Sequence, residues 1–276
     1  MLNMLAVDEI IKNALIEDIG TGDITTIATI PADKIITGKF IAKESGVICG
    51  ALVVKRVFEL IDASVSMQVF LNDGAIVEKG DVIAEISGRA QSILTGERVA
   101  LNFLQLLSGI ATKTRQCVLQ VKDTKAMITD TRKTTPGLRV LEKYAVRVGG
   151  GRNHRYNLSD GVLIKDNHIK AAGSITAAVT AARSSIPHTL KIEVEVEDFD
   201  MITEALGCGA DIIMLDNMSI EDMTRAVEII GGRALVEASG NMCEKDLLTV
   251  AKTGVDIISI GALTHTIRAM DISLRF

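Results

Sequence analysis

The sequence predicts an α/β protein, with a small N-terminal α+β half followed by a parallel α/β barrel. From residue 127 onward, short apolar runs recur between turn residues, and amphipathic helical patterns separate the last four, as in βα units on a parallel sheet. The ends of those runs, Glu195, Asp216, Ser239 and Gly261, follow one another at 21, 23 and 22 residues, one βα unit each. No G-x-G-x-x-G follows a first strand, so a dinucleotide-binding sheet lacks its fingerprint and a barrel fits better.

The first half begins with Ile10, Ile11, Ala14, Leu15 and Ile19 at helical spacing, which predicts an amphipathic helix around Val7–Ile19. Ile35–Lys43 reads as strand, Ser45–Gly46 as a turn, Ala51–Ile61 as helix and Val65–Leu71 as extended chain. Asn72–Ile86 alternates around Gly74 and Gly80 like a hairpin of short strands. It resembles half of a biotinyl or lipoyl carrier, but a carrier needs a lysine where this chain runs Glu85-Ile86-Ser87-Gly88-Arg89. A structural hairpin is the better reading.

Residues 91–121 predict one or two long helices, apolar at Ile93, Leu94, Val99, Leu101, Phe103, Leu104, Leu106 and Leu107. That covers nearly the whole circumference, so the segment is expected in a core or a subunit interface. Arg98 lies in its middle, where a guanidinium needs an anion: an ion pair with Glu97 or another neighbour, or a ligand. The strands expected after it are Met127–Thr129, Gly161–Ile164, Leu190–Val196, Ile212–Leu215, Ala234–Ala238 and Ile257–Ile260. Phe199–Leu206, Ile220–Ile230 and Glu244–Thr253 read as the helices between the last four.

Composition excludes several classes. An apolar fraction of 47% supports a substantial core, and aromatics at 3% with no Trp weaken any reading built on base stacking. The net charge of −5 argues against a general nucleic-acid footprint. Cys49, Cys117, Cys208 and Cys243 form no C-x-x-C pair, which favours reduced thiols over a disulfide framework. Asp8 and Glu9 fall where a signal peptide would be apolar, and no apolar run approaches membrane-spanning length. A cytoplasmic protein with no membrane partner is expected.

Charge is segregated. Residues 130–170 carry nine basic and four acidic residues, about +5 in a chain that totals −5, so the remainder sums to about −10. Such a block suggests a small, highly anionic ligand. Arg139, Lys143 and Arg147 fall at i, i+4 and i+8 and read as a solvated helix face. Arg132 and Lys133, His154 and Arg155, and Lys165 instead follow strand-like or glycine-rich stretches, where ligand contacts concentrate. Arginine forks suit planar carboxylates.

In a βα barrel the carboxyl ends of the strands face one mouth, where ligands bind. Ser239-Gly240-Asn241 and Ser259-Ile260-Gly261-Ala262 each follow a strand and precede a helix, which makes them candidate phosphate cradles. Glu195 and Asp216 could be structural partners of nearby cations, oxygen ligands beside a metal-bound phosphate, or stabilisers of a cationic transition state.

Residues 131–169, TRKTTPGLRVLEKYAVRVGGGRNHRYNLSDGVLIKDNHI, resemble the signature of the quinolinate phosphoribosyltransferases. The resemblance spans nearly the whole chain: EDIGTGDITT at 17–26, GERVALNFLQLLSGIAT at 96–112, EVEVEDF at 193–199, MLDNMS at 214–219, EASGN at 237–241 and SIGALTH at 259–265. It implies a small N-terminal α/β sandwich over 1–112 and an incomplete parallel α/β barrel over 113–276, with the C-terminal tail packing back on the first domain. It also implies transfer of phosphoribosyl from phosphoribosyl pyrophosphate to quinolinate with decarboxylation, in de novo NAD synthesis, with Mg²⁺.

By matching positions, Arg98, Arg132, His154, Arg155 and Lys165 would bind quinolinate, Arg98 reaching across a homodimer interface. Thr131, Lys133, Glu195, Asp216, Ser239, Gly240, Asn241, Ser259, Gly261 and Ala262 would bind phosphoribosyl pyrophosphate. Lys133, Glu195 and Asp216 would act in catalysis, the two acids meeting the metal indirectly through pyrophosphate. A related transferase using nicotinate, or a non-catalytic anion sensor on the same fold, are the alternatives.

Overall fold

The computed structural model describes residues 2–276. Its chain forms two compact units. One takes in the chain up to Arg115, Thr134–Gly150 and Leu263–Phe276; the other takes in Gln116–Lys133 and Gly151–Ala262. No helix among the described residues is long and apolar enough to cross a membrane, and the four cysteines are thiols.

The first unit is built on a four-stranded antiparallel sheet, in the order Ile272–Arg275, Ile35–Ala42, Val82–Arg89, Ser66–Val69. Alternation along Ile35–Ala42 buries Phe40 and Ala42 on one face. The final strand enters with Ala42 opposite Ile272 and Lys39 opposite Arg275. Val7, Ile11 and Leu15, one turn apart, are the buried stripe of the helix Met4–Ile19. The helix Ala51–Ile61 starts after Gly50, which has no side chain to cap it. Asp73 does so instead, its Oδ1 accepting from the Gly50 and Ala51 N–H groups at 2.9 Å. The 32-residue helix Ala90–Val121 contributes to both units.

Three expectations need correction here. Ile76–Val77 pairs with Gly46–Val47, while Val82–Arg89 joins the larger sheet, so Asn72–Ile86 is not a hairpin of two paired strands. Arg98 is exposed and forms no hydrogen bond or ion pair among the described residues, so the ion pair with Glu97 or another neighbour weighed for it is not formed. Its helix keeps Arg98 and Asn102, one turn apart, open to solvent while Ile93, Leu104 and Leu107 are buried. On the helix Arg139–Val148 the basic stripe is not a solvated face: Lys143 is buried with Glu142, because the helix packs Leu141, Ala145 and Val146 inward.

The second unit is a six-stranded parallel sheet in the order Met127–Thr129, Ile257–Ser259, Leu235–Ser239, Ile212–Asp216, Ile192–Val196, Val162–Ile164. Apart from one parallel bridge between Thr129 and Arg152, its two edge strands stay unpaired on their outer sides, an open barrel-like sheet. Val194, Ile213, Leu215, Ala238 and Ile258 form its buried centre. Ser174, Asp198, Ser219 and Asp246 cap the helices Ile175–Ser185, Phe199–Gly207, Ile220–Ile230 and Leu247–Lys252, each accepting a backbone N–H. The Asp246 cap splits the helix expected over Glu244–Thr253 into a short 3-10 turn, Met242–Glu244, and the helix Leu247–Lys252.

Candidate active site

Parallel register brings the strand ends to one edge of the second unit. Ser239 lies opposite Asp216, and Ser259 opposite Thr129. The chain leaving Thr129 carries Asp130, Thr131, Arg132 and Lys133, and Lys165 follows the strand Val162–Ile164 directly. This is where an open α/β sheet binds ligands.

Beneath that edge lies a buried polar layer. Asp130 accepts from the His154 backbone N–H at 2.9 Å and from Asn153 Nδ2 at 2.5 Å, fixing the loop after Gly149–Gly151. His154 Nε2 lies 3.2 Å from Glu193 Oε2 and 3.6 Å from Glu237 Oε1. Both acids are almost fully buried. Burial, and then the charge of Glu193, push the Glu237 carboxyl up to about 8, against the opposing effects of His154 and the Ser259 hydroxyl.

The cations stand beside this layer. Arg155 donates from Nη1 to the Gly161 carbonyl at 3.0 Å. Its guanidinium is held below its ordinary value by burial first and by the charge of Arg132 second, with Glu193 opposing. Two neighbouring guanidiniums, one of them partly desolvated, favour an anion of at least two charges. Lys165 Nζ donates to Glu195 Oε2, joining adjacent strand ends. Thr131 Oγ1 accepts from the Lys133 backbone N–H at 3.0 Å, and Lys133 itself is exposed.

The two glycine-bearing loops differ in how tightly they are held. Asn217 and Asn241 have φ of 54° and 50°, the non-glycine residues of positive φ among the described residues. Asn217 N–H donates to the Ser239 carbonyl at 3.1 Å, and its Nδ2 donates to Asp216 Oδ2 at 3.0 Å. A Cβ on Gly240, whose φ is 88°, would stand 2.2 Å from Asn217 Oδ1. In the other loop Ser259 is buried, and Gly261 and Ala262 are half-buried at the start of the short helix Ala262–His265.

The second unit thus holds Thr131, Arg132, Lys133, His154, Arg155, Lys165, Glu195, Asp216 and the loop residues Ser239, Gly240, Asn241, Ser259, Gly261 and Ala262, whereas Arg98 belongs to the first. Sequence reasoning passed over Asp130, Glu193, Asn217 and Glu237. A signal existed for two of them: Glu193 and Glu237 each precede a selected residue, Glu195 or Ser239, by two positions, the spacing that shares a strand face.

Two acid groups are candidates for a cation. His154, Glu193 and Glu237 present ligand atoms within 4.8 Å of one another. Glu195 and Asp216 offer carboxylate oxygens at strand ends, but Oε2 of the first is taken by Lys165 and Oδ2 of the second by Asn217. That donor set fits a hard divalent ion shared with phosphate and water better than full coordination by protein.

Comparison with known proteins agrees over the whole chain. Residues 110–275 match the model of the C-terminal domain of quinolinate phosphoribosyl transferase, and residues 23–108 match that of its N-terminal domain. The chain is 44% identical over 273 residues to the probable carboxylating nicotinate-nucleotide pyrophosphorylase of Bacillus subtilis (strain 168), covering 99% of this chain and 94% of that protein. It is 43% identical over 277 residues to the carboxylating nicotinate-nucleotide pyrophosphorylase of Mycobacterium leprae (strain TN), covering 98% and 96%. The crystal structure of NadC from Streptococcus pyogenes superposes with a TM-score of 0.94 at 45% identity, covering 100% of this chain and 98% of that one.

Proposed function

Because the chain belongs to the quinolinate phosphoribosyltransferase family, we propose that it joins quinolinate to the phosphoribosyl group of phosphoribosyl pyrophosphate in de novo NAD synthesis. The products are nicotinate mononucleotide, pyrophosphate and CO₂. The observation that carries this reading is the Arg132–Arg155 pair, matched to a pyridine dicarboxylate, together with Lys165 directly after the strand Val162–Ile164 of the sheet that carries the Ser239–Asn241 and Ser259–Ala262 loops.

The pyridine nitrogen attacks C1 of the ribose as the C1–O bond to pyrophosphate breaks and its electron pair leaves with the pyrophosphate. Positive charge develops on the ribose, and the carboxylates of Glu195 and Asp216 stabilise it. Lys133 faces the departing pyrophosphate. The new pyridinium then accepts the electron pair of the C2–carboxylate bond, CO₂ leaves, and a proton from solvent replaces it at C2. Arg132, Arg155 and Lys165 orient the ring and strip water from its carboxylates.

Mg²⁺ would be held by pyrophosphate, with Glu195 and Asp216 contacting its water shell, and would neutralise charge on the leaving group. Arg98, exposed on its helix, supports a homodimer in which it reaches the partner's quinolinate. The four thiols suit a cytoplasmic setting.

The test is a product assay with phosphoribosyl pyrophosphate, Mg²⁺ and either quinolinate or nicotinate. Nicotinate mononucleotide and CO₂ from quinolinate alone are expected. Product from nicotinate alone would assign another acceptor, and binding without turnover would make the protein an anion sensor.

A further inference from the structure

Glu193 and Glu237 are 4% and 1% exposed, and the mechanism above uses neither. Glu193 Oε1 and Glu237 Oε1 have no hydrogen-bond partner among the described residues, an expensive arrangement for buried carboxyl groups. What both approach is a single atom, His154 Nε2. The other ring nitrogen, Nδ1, accepts from the Arg155 backbone N–H at 2.8 Å. A backbone amide only donates, so Nδ1 carries no proton, and in the neutral ring the proton sits on Nε2, facing the acids. In that tautomer Nε2 has no lone pair to give, so the triad does not serve as a metal site.

We propose that Glu193 and Glu237 are positioning residues for the acceptor carboxylates: they hold His154 in its Nε2–H tautomer, and Nδ1 fixes the peptide that carries the Arg155 guanidinium. The inference rests on the quinolinate reading above. Glu193 is the acceptor in this chain, and Glu237 shares the buried site with it as the neutral acid. Asp130 holds the same loop from its other side through the His154 N–H. The charge of Glu193 also offsets the repulsion that Arg132 exerts on Arg155. His154 therefore acts on the ligand through Arg155, with both ring nitrogens engaged inside the protein.

Glu193→Leu, Glu193→Gln, Glu237→Leu and Glu237→Gln are compared with the wild type by steady-state kinetics and by calorimetric titration with quinolinate alone. Glu193→Leu and Glu237→Leu should raise the quinolinate KM about tenfold or more while the phosphoribosyl pyrophosphate KM stays within about twofold. Glu237→Gln, a neutral amide that still donates, should restore both constants to about twofold of wild type. An unchanged quinolinate KM in Glu193→Leu, equal rises in both KM values, or Glu237→Gln as impaired as Glu237→Leu would each overturn the proposal. If Glu193→Leu does not fold, Glu193→Gln decides: loss of the charge beside Arg155 should weaken quinolinate several-fold, and unaltered affinity overturns it. A wild type that binds quinolinate without turnover would defeat the enzymatic reading alone, while the titrations would still test the positioning chain.

Discussion

Lys165 and Glu195 are ion-paired across adjacent strand ends, with Lys165 Nζ donating to Glu195 Oε2. Each occupies the other with a charge that its own proposed ligand would need, Lys165 for a carboxylate and Glu195 for the developing ribose cation. Binding of a dicarboxylate at Lys165 would therefore compete with the pair. Glu195→Gln should bind quinolinate a few-fold more tightly in titration without phosphoribosyl pyrophosphate, since a partly exposed pair holds Lys165 by up to about 1 kcal/mol. The same variant should lose about a hundredfold in kcat. Weaker quinolinate binding would show that the pair helps to build the carboxylate site.

Gly240 is a position at the candidate site where a single methyl group is poorly tolerated. Its φ of 88° and the 2.2 Å approach of Asn217 Oδ1 to a Cβ both oppose a side chain. Gly240→Ala should displace Asn217, and with it the contact to Asp216, raising the phosphoribosyl pyrophosphate KM by about tenfold or more. Quinolinate affinity should change little, because the hydrogen bonds of Asn217 run to Ser239 and Asp216. Equal losses for both substrates would point to general unfolding, which a melting curve would reveal.

The sequence made periodic elements legible and tertiary choices much less so. Ala51–Ile61 and Ile220–Ile230 were readable to the residue, because an apolar stripe at helical spacing is a local property. The partner of Ile76–Val77 was not, since alternation marks a strand without saying which strand it joins. Lys143 was misread because charge and local apolarity do not say which side of a helix the rest of the chain covers. At the candidate site, strand-end acids and glycine loops were visible from their spacing. Glu193 and Glu237 were not chosen because acids buried deeper in the strands are spelled with the same letters as those at the mouth.

Buried Glu237 gives folding a pH dependence of unusual sign. Glu237 is pushed up to about 8 from an ordinary 4.5, by burial first and by Glu193 second. Between those values the folded chain holds a proton that the unfolded chain has released. Stability from this group therefore falls as pH rises through the window, by at most about 1.4 kcal/mol per unit, and levels off above it. Glu237→Gln cannot ionise and should lack this slope. Urea unfolding near pH 5.5 and near pH 9 checks it: wild type should lose stability relative to the variant at the higher pH, and parallel profiles would place the proton elsewhere.

Arg98 offers the sharpest test of assembly. It stands exposed on the helix Ala90–Val121 with no ion pair among the described residues, as a side chain reserved for a partner's ligand would. Arg98→Ala and Lys165→Ala should each be inactive alone. In a dimer whose sites combine Lys165 of one subunit with Arg98 of the other, a hybrid carries both changes in one site and none in the second. An equal mixture after subunit exchange is about half hybrid, so it should regain about a quarter of wild-type activity. Exchange is followed independently by mixing differently tagged subunits. Full exchange with no recovered turnover would place Arg98 and Lys165 in separate roles within one chain.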